Sequence, residues 1–506
     1  MINCKKNLAF MIKYESTKQL TIEDFKTPFQ QKLLANNRWV KLSKIVPWDH
    51  FASIYMRAMD KVMGRPGLSP RIILGALIIK HMRKLDDRGT IEEIQENPYM
   101  QYFLGLKEFT VEPIFDPSLF VEIRKRIGKE SFDELNELLI KSATRKEDKK
   151  HKSNPKKKDK DGEVMNKGKM QADATVADQT IKFPTDTNLL NESRKKLERM
   201  IDNLYEKKGE EGIKPRTYRR KLDKAYLGYS KKRQKRVSDI RKMKRKLLES
   251  VNRDLGHIDK MLDYFEGQGS VFPLNKRELR YLWIIRTVYS QQHEMYEQKK
   301  HRIDDRIVSI HQPHVRPIVR GKEKSKTEFG AKLGVSLDHG FARLDKINWN
   351  AYNESGDLKE QVESYRELHG FYPELAQVDK IYATRENRRW FKEKGIRMTA
   401  APLGRPSKQQ AESYYQKRKR KKEATERNAI EAKFGQAKNG YNLNQIRAKL
   451  KETSESWISC IFFVMNLLKY EKDYFLSLFY RLFLEGKSRI FENIMFQNKI
   501  SLKLAV

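Results

Sequence analysis

The stretch MQADATVA, residues 170–177, alternates with period two: Ala172, Ala174 and Val176 fall on one face, Gln171, Asp173 and Thr175 on the other. A short strand between long helical stretches decides how the rest divides. Downstream, residues 329–337 (FGAKLGVSL) and 341–347 predict a β-hairpin across Asp338-His-Gly340. Helix is predicted over 357–368, strand over 375–381, helix over 385–394, strand over 396–401, and a long helix over 407–438. Between the first strand and the hairpin the helical period returns, from Leu190 to about Lys300. There Ile240, Met243, Leu247, Val251, Leu255, Ile258 and Leu262 step by three or four, the stripe of a bundle helix. This is an α/β core interrupted by a helical insertion after its first strand. Upstream, residues 20–140 read as all-helical. Ser69-Pro70 opens an apolar helix over 71–82, Thr90-Ile-Glu-Glu93 resembles a capped start, and Asp116-Pro-Ser118 opens a helix running through Arg124 toward Gly128.

Composition narrows the function. The chain has 506 residues, with 105 Lys and Arg against 67 Asp and Glu, a net charge of +38. At 38% hydrophobic and 10% aromatic it can build a core. Its two cysteines, Cys4 and Cys460, exclude a disulfide scaffold and a four-thiolate zinc site. The most apolar run, 457–468, ends at Lys469, short of the ~20 residues a membrane span needs. No signal peptide is expected, because Lys13 ends the apolar patch at 8–12. Three short segments supply 27 of the 38 excess charges: 141–169, 214–246 and 417–422. Any one is most simply solvated surface. Three together call for a polyanion, nucleic acid first.

Three carboxylates occupy positions suited to phosphodiester chemistry, for which magnesium or manganese needs hard oxygen ligands from several elements. Asp173 lies in the first strand, Asp379 at the carboxyl end of a later strand, and Glu431 on the long helix. At about 100° per residue, Arg427, Glu431 and Lys438 form one stripe, beside an apolar stripe of Ile430, Phe434, Ala437 and Tyr441. Arg427 and Lys438 suit phosphate, although Arg427 and Glu431 also make an ordinary helical ion pair.

The Arg-x3-Glu-x6-Lys spacing resembles the motif of the DDE transposases of bacterial insertion sequences, whose Tyr position is Ala424 here. Asp379-Lys-Ile-Tyr382 is similar to the family's second-aspartate signature. Gln171-Ala-Asp173-Ala-Thr175, with Phe183-Pro-Thr-Asp186, is similar to the first. Residues 316–322 and 328–332 resemble the segment between them, and Gly64-Arg65-Pro66 and 116–124 resemble the helical N-terminal domain of the InsH-like group. The resemblance spans roughly residues 30–470.

It implies an RNase H-like core in which Asp173, Asp379 and Glu431 hold two Mg2+ (or Mn2+) ions, cleave a DNA strand, and direct the freed 3′-hydroxyl into target DNA. It implies a helical N-terminal DNA-binding domain at 1–140, a basic flexible linker at 141–169, and a catalytic domain at 170–470 with its insertion at about 190–305. A helical tail follows at 471–506. The implied partners are double-stranded DNA, as element terminal inverted repeats and target, and a second copy as a homodimer on DNA. No membrane is implied, and the setting is the bacterial cytoplasm near the nucleoid. DNA contacts are expected from Arg427 and Lys438, from Lys231, Lys232, Arg233, Lys235 and Arg236, and from Lys417, Arg418, Lys419 and Arg420.

Only 51 residues separate Asp379 from Glu431, whereas 205 separate Asp173 from Asp379 and contain the insertion. Asp186 competes with Asp173 but follows Pro184 and reads as a turn or capping residue. Asp178 reads as surface, His311-Gln-Pro-His314 as loop chemistry, and Cys460 as a buried small residue. Two rivals stay open. One is a non-catalytic DNA-binding protein derived from a transposase, the other an RNA-processing protein on the same fold.

Overall fold

The computed structural model describes residues 25–27, 32–57, 67–150, 166–209, 212–319, 327–400 and 413–503, with the backbone alone at 144–150, 416–417, 420 and 478–503. The described chain opens with helices α1 (Arg38–Ile45), α2 (Trp48–Arg57), α3 (Pro70–Arg83), α4 (Asp87–Glu96), α5 (Pro98–Leu104) and α6 (Leu119–Lys150). Pro70 occupies the first turn of α3, where its missing N–H costs nothing, and Lys84 ends the helix in the left-handed region at φ 60°. The cap of α4 is Asp86, whose carboxylate accepts from Gly89 N at 2.8 Å, so the helix starts ahead of Thr90. Gly128, at φ 65° and ψ −179°, breaks α6 internally. Its helix continues to Lys150, through the first ten residues expected as linker; residues 151–165 lie outside the described set.

The sheet follows. β1 (Lys169–Asp178) is its centre, with β3 (Thr327–Asp338) antiparallel on one side and β5 (Leu375–Val378) parallel on the other. Beyond β3 lie β2 (Arg316–Val319), a strand missed by the sequence reading, and β4 (Phe341–Asn348) of the expected hairpin. β6 (Arg397–Met398) pairs parallel with β5. Four strands joined by antiparallel pairing, then two parallel ones, behind a helical N-terminal region, make an RNase H-like arrangement. Two strands are shorter than expected. β5 ends at Val378, because Asp379 opens a 3-10 turn, and β6 keeps only two residues.

Helices α7 (Asp186–Lys207), α8 (Arg219–Ser230), α9 (Val237–Gly267) and α10 (Lys276–Glu297) form the insertion between β1 and β2. They bury a separate core that includes Leu197, Ile201, Leu247, Val251, Ile258 and Ile285. Ile240, at one end of the predicted stripe, is 38% exposed. The expected core stripe is otherwise mostly buried there.

Alternation along β1 sends its two faces into different layers. Met170 and Ala172 pack with Leu358 and Val362 of α11 (Leu358–His369) and Phe391 of α12 (Arg385–Glu393). Ala177, with Leu333 and Val335 of β3, packs on the other face against α13 (Tyr414–Tyr441) and α14 (Lys451–Lys503). The same cluster continues into Trp48, Phe51, Phe103, Phe120 and Phe132 of the N-terminal helices. One apolar core therefore spans both the N-terminal helices and the sheet, and α14, which runs to Lys503 within the expected tail, lies along α6. Among the described residues no helix is long and apolar enough to cross a membrane.

A polar joint lies inside that core. Asn466 of α14, fully buried, donates to Asn136 Oδ1 of α6 (2.7 Å) and to the Ala342 carbonyl of β4 (2.6 Å), and accepts from Ala342 N (2.9 Å). Asn136 Nδ2 also donates to the Ala342 carbonyl at 3.2 Å, so removing Asn466 strands the Ala342 amide and the Asn136 side-chain oxygen, at about 1–3 kcal/mol per buried group. Asn466→Leu is therefore expected to lower stability by about 2–4 kcal/mol in urea unfolding. An unchanged midpoint would show that the joint carries no weight.

Candidate active site

β1 and β5 run parallel in the register Lys169↔Leu375, Met170↔Ala376, Gln171↔Gln377 and Ala172↔Val378. The residue after each member of the last pair is an aspartate, Asp173 within β1 and Asp379 just past the end of β5. Asp379 keeps an extended backbone (φ −75°, ψ 164°) before its Oδ1 caps the following turn, accepting from Lys380 N at 2.7 Å. Two residues back, the Gln171 and Gln377 side chains hydrogen-bond each other at 2.8 Å. Period-two alternation places Asp173 and Asp379 on that same face.

Helix α13 covers this face and is fastened by the two glutamines. Gln171 Nε2 donates to the Glu426 carbonyl at 2.8 Å; Gln377 Nε2 donates to the Glu423 carbonyl and the Glu426 carboxylate, both at 3.2 Å. Arg397 forks onto Glu423, and Lys169 reaches Glu426 at 2.9 Å; these hydrogen bonds hold both carboxyls below the usual range. The buried stripe of Ile430, Phe434 and Ala437 secures the rest of the helix.

One turn beyond Glu423, Arg427 stands between two of the candidate acids. Its Nη2 donates to Glu431 at 3.0 Å, and its Nη1 lies 3.9 Å from Asp173 Oδ2. Asp173 Oδ1 accepts from Ala174 N at 2.8 Å. The Glu431 side chain is 55% exposed and that of Asp173 20%. Lys438, expected as a phosphate contact, instead faces Glu328 of β3 (3.5 Å) and Asp178 at the end of β1 (4.0 Å). Asp178 is thus a half-buried ion-pair partner, not plain surface. Among the described residues, no three His, Cys, Asp or Glu side chains come together closely enough to hold a metal ion. Arg427 links Asp173 to Glu431, and Asp379 follows the strand position paired with Ala172.

Tyr382 closes the turn after Asp379 and is fully buried. Burial, with Asp173 as its main charged neighbour, pushes its hydroxyl well above the ordinary tyrosine range. The glutamine anchors escaped the sequence reading. Their signal was present, because Gln-x-Asp occurs on both strands, at 171–173 and 377–379.

The remaining candidates separate from this site. Asp186 sits in the first turn of α7 behind the Thr185 cap and meets Lys244 (3.0 Å) and Arg306 (2.6 Å). Burial raises its pKa, but those cations more than offset this and hold the carboxyl low. His311 contacts the Tyr281 hydroxyl (2.9 Å), whereas His314 stands edge-on to Trp349 and burial pushes it down to about 4. Lys231, Lys232, Arg233, Lys235 and Arg236 are all exposed in the turn from α8 to α9, on the insertion rather than at the acids. Arg418 and Lys419 are exposed on α13; the side chains of Lys417 and Arg420 lie outside the described set, as do Gly64-Arg65-Pro66.

Donor chemistry fits a hard divalent cation: the acids are carboxylates from three elements, and the Arg427 guanidinium already occupies the position of a positive charge between two of them. Gln377→Leu removes the donor that faces Glu423 and Glu426. It is expected to destabilise the protein by about 1–3 kcal/mol. A thermal or urea midpoint equal to wild type would contradict the fastening role of Gln377.

Comparison with known proteins finds family matches toward both ends of the chain. Residues 376–468 match the family described as the transposase DDE domain, a span that holds Asp379, Arg427, Glu431 and Lys438 but not Asp173. Residues 27–126 match the transposase domain DUF772. A protein of Rhizobium meliloti, described as uncharacterized protein ORF8 in nfe locus, is 33% identical over 104 residues, which is 21% of this chain and 50% of that relative's length. No solved structure matches. The chain therefore carries a transposase DDE domain behind an N-terminal transposase domain of the DUF772 type.

Proposed function

We propose that the protein is an insertion-sequence transposase of the bacterial, InsH-like kind, which binds the terminal inverted repeats of its element, cleaves them and transfers the freed strand into target DNA. The observation that carries this reading is the pairing of β1 with β5, which brings Asp173 and Asp379 to adjacent positions beneath the helix bearing Glu431. In this proposal those three carboxylates hold two divalent ions, magnesium or manganese. Bound there, the ions supply the Lewis acidity that phosphodiester hydrolysis and transesterification need, without ATP. The chain's own contribution is placement. Gln171 and Gln377 hold α13 over the strand ends, while Arg427 offers a bidentate fork to a phosphate once DNA arrives.

The N-terminal helices at 1–140 and the insertion at about 190–305 are assigned to DNA. The exposed cluster Lys231, Lys232, Arg233, Lys235 and Arg236 would clamp the duplex, with Arg418 and Lys419, and with Lys417 and Arg420, adding phosphate contacts along α13. A homodimer on DNA would hold two element ends together. The connection from α6 to β1 would then act as a tether, and the part of α14 beyond residue 470 as a helical extension.

A second reading, a non-catalytic DNA-binding protein derived from a transposase, is favoured by one observation: among the described residues no three acidic side chains close on a common point. Asp379→Asn separates the two. Cleavage of a duplex carrying the element's end is expected to fall by about a hundredfold or more with binding retained. No cleavage by either protein under any cation condition would favour the binder, whereas cleavage unchanged by Asp379→Asn would remove Asp379 from the chemistry. In the same assay, neutralising the five cations of the α8–α9 turn should reduce the salt dependence of binding by roughly one unit of slope per lost phosphate contact. An unaltered slope would remove the insertion from the DNA interface.

A further inference from the structure

We infer that Arg427 is an internal competitor for the cation site, so that divalent-ion loading waits on DNA. The inference rests on the carboxylate reading above and extends it. A guanidinium with Nη2 at 3.0 Å from Glu431 and Nη1 at 3.9 Å from Asp173 neutralises two of the three acids at once. It takes a lone pair on Glu431 that a metal would use, and it places a positive charge where a second cation meets repulsion. Lys438, the other cation of the helix stripe, is turned to Glu328 and Asp178 instead.

The contact is built to be released. Arg427 and Glu431 are an i,i+4 pair on one helix, and Glu431 is more than half exposed, the setting in which ion pairs are weakest. A phosphodiester offers Arg427 two acceptor oxygens in a geometry that matches its planar fork. A DNA backbone laid across α13 would therefore draw the guanidinium off the acids and leave Asp173 and Glu431 to the cation. Linkage makes the effect reciprocal: DNA tightens cation binding by the same factor by which the cation tightens DNA binding.

The test is Mn2+ affinity of the full chain, read from the EPR signal of free Mn2+ with and without a 30-base-pair duplex of arbitrary sequence and corrected for Mn2+ bound by DNA alone. Wild type should bind Mn2+ about tenfold more tightly once DNA is present, within the range usual for coupled sites. Arg427→Met, which keeps the aliphatic stem, should bind at the tighter value without DNA and gain nothing further from it. Arg427→Ala is the second variant, should Met be poorly folded. Mn2+ affinity in the Arg427 variants no tighter than wild type without DNA overturns the competitor role. Asp379→Asn separates that failure from a deeper one. If Mn2+ binding to the wild-type complex survives Asp379→Asn and Asp173→Asn unchanged, the carboxylate reading falls, and the competitor role falls with it.

Discussion

The parallel pairing of β1 with β5 is the contact on which the remaining architecture turns. Four residue pairs join strands that lie 205 residues apart when counted between their aspartates, and the last pair, Ala172 with Val378, sets Asp173 and Asp379 next to each other. A slip of one residue would reverse the faces of an entire strand and send one aspartate into the apolar layer of α11. The mutually bonded glutamines at 171 and 377 report the register from the side-chain level. They also carry it outward, since the same amides hold α13.

That long closure is tolerable because the intervening chain folds by itself. The insertion buries its own core, with Arg194 fully enclosed beside Glu198, Asn191 and Asp223, so it need not borrow apolar surface from the sheet. The N-terminal helices behave differently. They share a continuous core with the sheet and α14, and the turn after α3 touches the end of α13: Lys84 Nζ donates to the Asn439 carbonyl at 2.7 Å. Lys80, almost fully buried, meets Asp87 at 2.8 Å, and Arg124 pairs with the same carboxylate, beside the Trp457 ring. Any DNA contact made by these helices is thereby mechanically continuous with the helix that bears Glu431.

Much of this was legible in the sequence because local periodicity reports local structure. The alternation at 170–177, the hairpin across Asp338-His-Gly340 and the apolar stripe of Ile430, Phe434, Ala437 and Tyr441 all reappear in place. What failed needed partners that spacing does not reveal. β2 is four residues long and exists by pairing with β3; β6 is two residues defined by β5. Lys438 shares a helical stripe with Arg427 and Glu431, yet eleven residues carry it along β1 to Asp178, away from Asp173. The ion pair between Arg427 and Glu431 was foreseen as helical geometry. That the same guanidinium also faces Asp173 depends on tertiary packing.

The central claim is that Asp173 and Asp379 share a cation between neighbouring strands. Anomalous diffraction from crystals of the protein with DNA and Mn2+ tests it most directly. The account predicts a manganese peak about 2.1 Å from carboxylate oxygens of both aspartates. A peak bound elsewhere, with the two side chains ordered and turned apart, would contradict it.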